Sequence, residues 1–167
     1  KQYDSILEVG YGTGIILPTL TSIGSEVYGV DIDSDPSRTE EMLKNLGVNV
    51  NLYQADINEW NFSEKKFDLV VAFSVFEHIH DPSKAIQKIM ESLKPDGKFI
   101  VGMPRVDKFM TFLFSFFGYE AEGDHVTNYK EFINYSAPYF RLKTLRTFPR
   151  NFPKFASLYY NLLLVKN

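Results

Sequence analysis

Glu8-Val9-Gly10-Tyr11-Gly12-Thr13-Gly14 places three glycines at alternate positions behind an acid. This spacing serves binding rather than bond breaking. It lets the backbone turn sharply and lets a ligand approach the end of a strand closely. A dinucleotide fingerprint, G-x-G-x-x-G, would need glycine at position 15, where Ile15 stands. Glu8 would also repel a pyrophosphate, whereas it suits a ligand carrying an amine or a sulfonium.

Two further acids end later apolar runs. Gly29-Val30-Asp31-Ile32-Asp33 closes the second run, about where ribose hydroxyls lie in a doubly wound nucleotide site, and Asp31 is suited to accept from both. Asp33 reads better as a solvated turn acid. Gln54-Ala55-Asp56-Ile57 closes the third run, and Asp56 there is suited to accept from an adenine amino group. For proton chemistry the chain offers three histidines. His78, in Phe76-Glu77-His78-Ile79, follows the most apolar run and would face the crevice. His125 follows an aromatic stretch and could fold back over it. These two are the candidate general bases, each set against the plainer role of a structural imidazole. His80, beside a helix cap, reads as structural. No metal site is expected.

Composition narrows the classes. The chain has 167 residues, is 44% apolar, and carries 18 basic and 21 acidic side chains. That length suits one domain with a core of its own, so residues 1–167 read as a single domain. With no Cys, disulfides, Cys-bound zinc, iron–sulfur clusters and thiol catalysis are excluded. A net charge of -3 gives no general attraction to nucleic acid. Aromatic and basic residues do interleave from Phe148 through Arg150, Phe152 and Lys154 to Phe155, but without a wider basic patch they read as a turn packing its own rings. The longest apolar run, Phe109 to Phe117, is too short for a bilayer, which needs about 20 residues. Peripheral membrane contact is the most that is expected, with a cytoplasmic location. The chain opens on Lys1 and enters a strand pattern almost at once, which points to helices missing from the front.

These groups need elements to hold them. Ser5–Val9, Glu26–Val30, Asn49–Tyr53, Phe67–Phe73 and Lys98–Met103 read as strands, alternating with helical periods. Asp35-Pro36 and Asp81-Pro82 are cap-plus-proline starts, and Gly47 and Lys94-Pro95-Asp96-Gly97 are stops. Met42, Leu43 and Leu46 are expected to form the inner face of the second helix. Five strands joined by helices imply a right-handed, mainly parallel α/β sheet. A helix is expected at Tyr129–Ala137. Two strands, Leu142–Phe148 and Leu158–Val165, then follow without an intervening helix, so one of them must run antiparallel. Between them and the fifth strand, Phe109, Phe112, Leu113, Phe116 and Phe117 recur at helical spacing in the insertion 105–128. That stripe is a small helix completing the core, a lid over a hydrophobic or lipid-linked acceptor hinged at Gly118 and Gly123, or a surface that touches membrane-borne lipid substrates.

The order and spacing of ILEVGYGTG (6–14), YGVDID (28–33), QADI (54–57), FDLVVAFSVFEHIHDP (67–82), LKPDGKFIVGMP (93–104) and GDHVTNY (123–129) resemble the class I S-adenosylmethionine-dependent methyltransferases. The closer likeness is to their small-molecule branch of quinone-biosynthesis and glycan-cluster enzymes. The resemblance implies a Rossmann-like, doubly wound seven-stranded sheet of order 3-2-1-4-5-7-6 with strand 7 antiparallel. It also implies methyl transfer from S-adenosyl-L-methionine to a small-molecule acceptor, at a hydroxyl, carbon or amine. By the same resemblance Glu8, Gly10, Gly12 and Gly14 would line the methionine portion. Asp31 would take the ribose hydroxyls, with Ile32 against adenine. Asp56 and the Ile57 backbone N–H would read the adenine edge, and Phe73 and Ser74 would border the transferable methyl. Tyr11 departs from the small residue usual in this loop; it either stacks near the cofactor's amino acid or fills space. A non-catalytic cofactor-binding subunit is the competing reading, and a nicotinamide oxidoreductase is weakened by Ile15.

Overall fold

A computed structural model describes residues 1–62, 65–105, 126–150 and 157–167. His125, the Phe109–Phe117 stripe with Gly118 and Gly123, and Phe152, Lys154 and Phe155 lie outside the described residues. The elements run β1 (Tyr3–Val9), α1 (Leu17–Ile23), β2 (Gly24–Asp31), α2 (Pro36–Asn45), β3 (Asn51–Gln54), β4 (Phe67–Phe73), α3 (Ser83–Ser92), β5 (Leu93–Pro104), α4 (Tyr129–Ser136), β6 (Phe140–Phe148) and β7 (Tyr159–Lys166). A single 3-10 turn, Phe76–His78, follows β4.

The seven strands form one sheet of order β3-β2-β1-β4-β5-β7-β6. The first five pair in parallel, and β7 runs antiparallel to both β5 and β6. This is the expected topology. It follows from apolar strands that need cover on both faces: β1 and β4 bury nearly every residue. Alternate residues of the strands point to opposite faces. Leu7, Val70, Ala72 and Phe99 pack with Ile86 and Ile89 of α3 and Phe132 of α4. Ile6, Val27, Leu69 and Val71 pack with Leu17 and Leu20 of α1 and Leu43 of α2.

Local chemistry sets the ends. Asp35 accepts from the Ser37 N–H at 3.0 Å with Pro36 at the first helical position. At the other end of α2, Gly47 has φ +73, and the Gly47 and Val48 N–H groups donate to the Lys44 and Leu43 carbonyls at 2.9 and 3.0 Å. That is the left-handed glycine stop the sequence calls for. The inner face of α2 differs from expectation. Thr39 and Leu43 are buried, but Met42 and Leu46 are 46% and 68% exposed. The helix flanks the short edge strand β3, so the sheet beneath it covers only one narrow stripe. Asp81 likewise reaches past Pro82 to the Ser83 N–H at 3.0 Å, but α3 starts at Ser83 with Pro82 as its cap, one residue later than the sequence signature expects. A reciprocal box between Asn128 and Glu131 starts α4.

Candidate functional site

A cleft of about 490 Å³ opens at the carboxyl ends of β1, β2, β3 and β4. It sits where the chain order reverses from β1 to β4, the usual ligand position in an open α/β sheet. Gly10, Gly12, Asp31, Ile32, Asp56 and Ile57 line it, and so do Ser74 and His78.

The glycine loop forms its floor. Gly10, Gly12 and Gly14 all have positive φ, a region that costs other residues strain. A Cβ at Gly10 would lie 2.2 Å from Val75 Cγ2, so no side chain fits between the loop and the segment after β4. Gly14 is not part of the lining. A Cβ there would come within 2.8 Å of Thr39 Cγ2, so its bareness serves the packing of α1 against α2. Tyr11 does not line the cleft either. Its ring is buried in the α1/α2 face, against Gly29, and its hydroxyl donates to the Ser34 carbonyl at 3.1 Å. Of the two roles considered for it, the geometry is that of a space filler. Burial, with help from Asp31, pushes its phenol up to about 12.

Glu8 lies in β1 opposite Gly29 and Val71. Its side chain is buried, and Oε2 has no hydrogen-bond partner among the described residues. Burial, then the charge of Asp31, push its carboxyl up to about 8. Glu8 is not itself among the residues lining the cleft, where its neighbours Val9 and Gly10 stand. A buried carboxyl oxygen without a partner so close to the cleft is nonetheless a place for a cationic ligand group.

Asp31 behaves oppositely. Burial works against its charge, yet the N–H groups of Gly12, Asp33 and Ser34 outweigh that and hold the carboxyl below its ordinary value. Their bonds measure 2.8, 2.9 and 2.9 Å. The Ser34 side chain bonds the same carboxylate, so its roughly four acceptor positions are filled and a ligand hydroxyl would take the place of the Ser34 hydroxyl. Asp56 spends Oδ1 on the Asn58 N–H and side-chain amide, at 2.8 and 2.9 Å, which leaves Oδ2 for a ligand donor. Ile32 is 58% exposed on the cleft wall, an apolar surface suited to a flat ring.

Residues 7–101, more than half of the sequence, match the methyltransferase domain family. The chain belongs to that family. A ubiquinone biosynthesis O-methyltransferase of Rickettsia conorii is 32% identical over 97 residues, which is 58% of this chain and 33% of that protein. The chain thus matches only about a third of that relative's length. The PH0226 protein of Pyrococcus horikoshii shares the fold with TM-score 0.82 at 20% identity, covering 100% of this chain and 83% of that one. The N-methyltransferase NodS of Bradyrhizobium japonicum, in complex with S-adenosyl-L-homocysteine, does so with TM-score 0.73 at 16% identity, covering 98% and 78%. Family and fold make this a class I S-adenosylmethionine-dependent methyltransferase domain.

In this methyltransferase domain the 3-10 turn after β4 brings His78 to the cleft, with half of its side chain exposed and Nε2 4.0 Å from Glu77 Oε1. Phe73 points elsewhere: a Cβ on Gly102 would meet its ring at 2.3 Å, so it packs across the sheet rather than lining the cleft. Three features were not read from the sequence. Ser74 has φ +55, rare for a residue with a Cβ. Its hydroxyl lies 3.0 Å from the Tyr159 hydroxyl of β7. Glu77 is buried, with Oε2 unpartnered among the described residues. Nothing in residue type or spacing announces a contact between positions 74 and 159.

Proposed function

We propose that this domain binds S-adenosylmethionine in the cleft and methylates a hydroxyl on a small, hydrophobic acceptor. The buried carboxyl of Glu8, whose Oε2 has no partner among the described residues, carries this reading. It suits the cofactor's ammonium and would be a liability against a pyrophosphate. Gly10 and Gly12 keep the floor bare for the methionine portion. Asp31 takes a ribose hydroxyl in place of the Ser34 hydroxyl, Ile32 covers one adenine face, and Asp56 Oδ2 accepts from the adenine amino group. The cofactor supplies a methyl group on a sulfonium, whose thioether leaves readily. The protein therefore has to align the partners and exclude water.

A hydroxyl acceptor also has a proton to lose, and Ser74 and His78 both line the cleft, so the proton can leave on that side. The curated relatives named as O-methyltransferases support a hydroxyl over an amine. We propose that His125 also serves the reaction, with residues 1–167 acting as one domain. No helix among the described residues is long and apolar enough to cross a membrane, and the proposed reaction belongs in the cytoplasm. Calorimetry tests the reading: S-adenosylhomocysteine should bind and NAD should not. Binding of NAD alone would refute it.

A further inference from the structure

Resting on that reading, we propose that Ser74, Tyr159 and Glu77 form a hydroxyl relay that orients the acceptor's hydroxyl and takes its proton. Three observations meet at Ser74. It is held in the left-handed region at φ +55, with its N–H donating to the Gly102 carbonyl at 2.9 Å. Such strain persists only where the surroundings enforce it, and it concentrates at functional sites. Its hydroxyl lies 3.0 Å from the Tyr159 hydroxyl. The same hydroxyl works against the burial that pushes the Glu77 carboxyl up, and Ser74 itself lines the cleft.

Donor counting gives the relay a direction. Each hydroxyl has one hydrogen and two lone pairs, and an ionised carboxyl only accepts. With Glu77 ionised, Ser74 donates to Glu77 and Tyr159 donates to Ser74. One lone pair of Ser74 Oγ is then left, and a ligand O–H in the cleft is the donor that fits it. As that O–H bond breaks, its electron pair becomes the bond to the methyl carbon. The methyl–sulfur bond breaks with its electron pair left on the departing thioether. The proton passes to Ser74 Oγ while the Ser74 proton passes to Glu77, and once the products have left, the carboxyl returns that proton through Ser74 to water. Ser74 is the contact residue. Tyr159 positions it by fixing its rotor.

The surroundings hold Glu77 in place. The Val126 and Thr127 N–H groups donate to the Glu77 carbonyl at 2.9 and 3.4 Å, and the Thr127 hydroxyl donates to the Ile79 carbonyl at 2.6 Å. Among the described residues, the charged or titratable groups near its carboxyl are His78, with Nε2 4.0 Å from Oε1, and Tyr159. Burial pushes the Glu77 carboxyl up, opposed by its own backbone N–H and by the Ser74 hydroxyl, to about 7. A group with that value accepts and releases protons near neutrality.

The test uses the whole chain with catechol as the probe acceptor, and 13C NMR of the Glu77 carboxyl with S-adenosylhomocysteine bound. Glu77 should titrate near 7, and the rising limb of the pH–rate profile should follow it. Ser74→Gly keeps the backbone conformation and removes the hydroxyl, so the Glu77 midpoint should rise. In that variant kcat should fall about a hundredfold. Tyr159→Phe should lower kcat about tenfold, with S-adenosylhomocysteine affinity within twofold of the parent in both variants. Parental kcat in both variants would overturn the relay. So would a limb that stays put when the Glu77 midpoint moves, a limb removed by His78→Ala alone, or a parent protein that binds S-adenosylhomocysteine yet leaves catechol unmethylated. A parent that fails to bind S-adenosylhomocysteine would instead overturn the cofactor reading beneath it.

Discussion

Gly12 donates its backbone N–H to the Asp31 carboxylate at 2.8 Å, so the loop ending β1 is tied to the acid ending β2. The same carboxylate also holds the turn after β2 through Asp33 and Ser34. Asp31 is therefore both a wall of the cleft and the clasp of its floor. A ligand hydroxyl that binds there joins a carboxylate already aligned by three backbone donors, so little orientation is left to lose on binding.

Replacing Asp31 by Ala should weaken S-adenosylhomocysteine binding at least about tenfold, since a hydrogen bond to a charged acceptor contributes roughly 1.5–3 kcal/mol. Calorimetry is the measurement. An unchanged dissociation constant would remove Asp31 from the site.

Glu8 makes a pH prediction. Its folded carboxyl is raised to about 8 from an ordinary 4.5, by burial first and then by Asp31. Between those two values the folded state holds more protons than the unfolded chain, so stability falls as pH rises through that window. Glu8→Gln should raise the melting temperature of the ligand-free protein at pH 8 and leave it nearly unchanged at pH 4. A cationic ligand reverses the effect. Cofactor binding at pH 7 should release a proton, seen as a buffer-dependent calorimetric enthalpy, and Glu8→Gln should abolish that release.

Gly10→Ala places a methyl group 2.2 Å from Val75 Cγ2 at a backbone φ of +72. Strain of about 1–2 kcal/mol and overpacking of about 1–3 kcal/mol should together lower the melting temperature. Relief would come from the loop shifting into the cleft, so cofactor affinity should fall further than stability does. Retained affinity in a folded variant would show that the loop is not the floor.

Asp68 supplies a contrast at the opposite, amino end of the strands. It accepts from the Asp4 and Ser5 N–H groups at 3.0 and 2.9 Å, and from Lys94 Nζ at 2.8 Å. Burial opposes its charge, but Lys94 and the β1 donors prevail and hold the carboxyl below its ordinary value. Its contribution is therefore complete above the ordinary carboxylate range and is lost as pH falls through the lowered value. Asp68→Ala should cost about 1–3 kcal/mol by leaving backbone donors of β1 unpaired. Chemical denaturation at pH 7 measures that loss, and S-adenosylhomocysteine affinity should stay within twofold.

The sequence by itself determined the order of elements, the parallel sheet with one reversed strand, and the acids that end β1, β2 and β3. These are local properties: apolar runs, caps, glycines and the position of an acid after a run all act within a few residues. Asp35 and Gly47 end α2 for reasons visible in their own tetrapeptides. Tertiary structure decided which face each side chain meets. Met42 and Leu46 fit a helical stripe but are exposed, because β3 at the sheet edge is too narrow to cover them. Tyr11 lies within the binding loop by sequence but packs into the α1/α2 core, because the bare face of Gly29 leaves room for its ring. The hydroxyl contact between Ser74 and Tyr159 spans 85 positions. It exists only because β7 folds back antiparallel beside β5, bringing Tyr159 opposite Pro104 at the carboxyl end of the sheet. Local residue types carry no record of such a juxtaposition, since long-range pairing makes it.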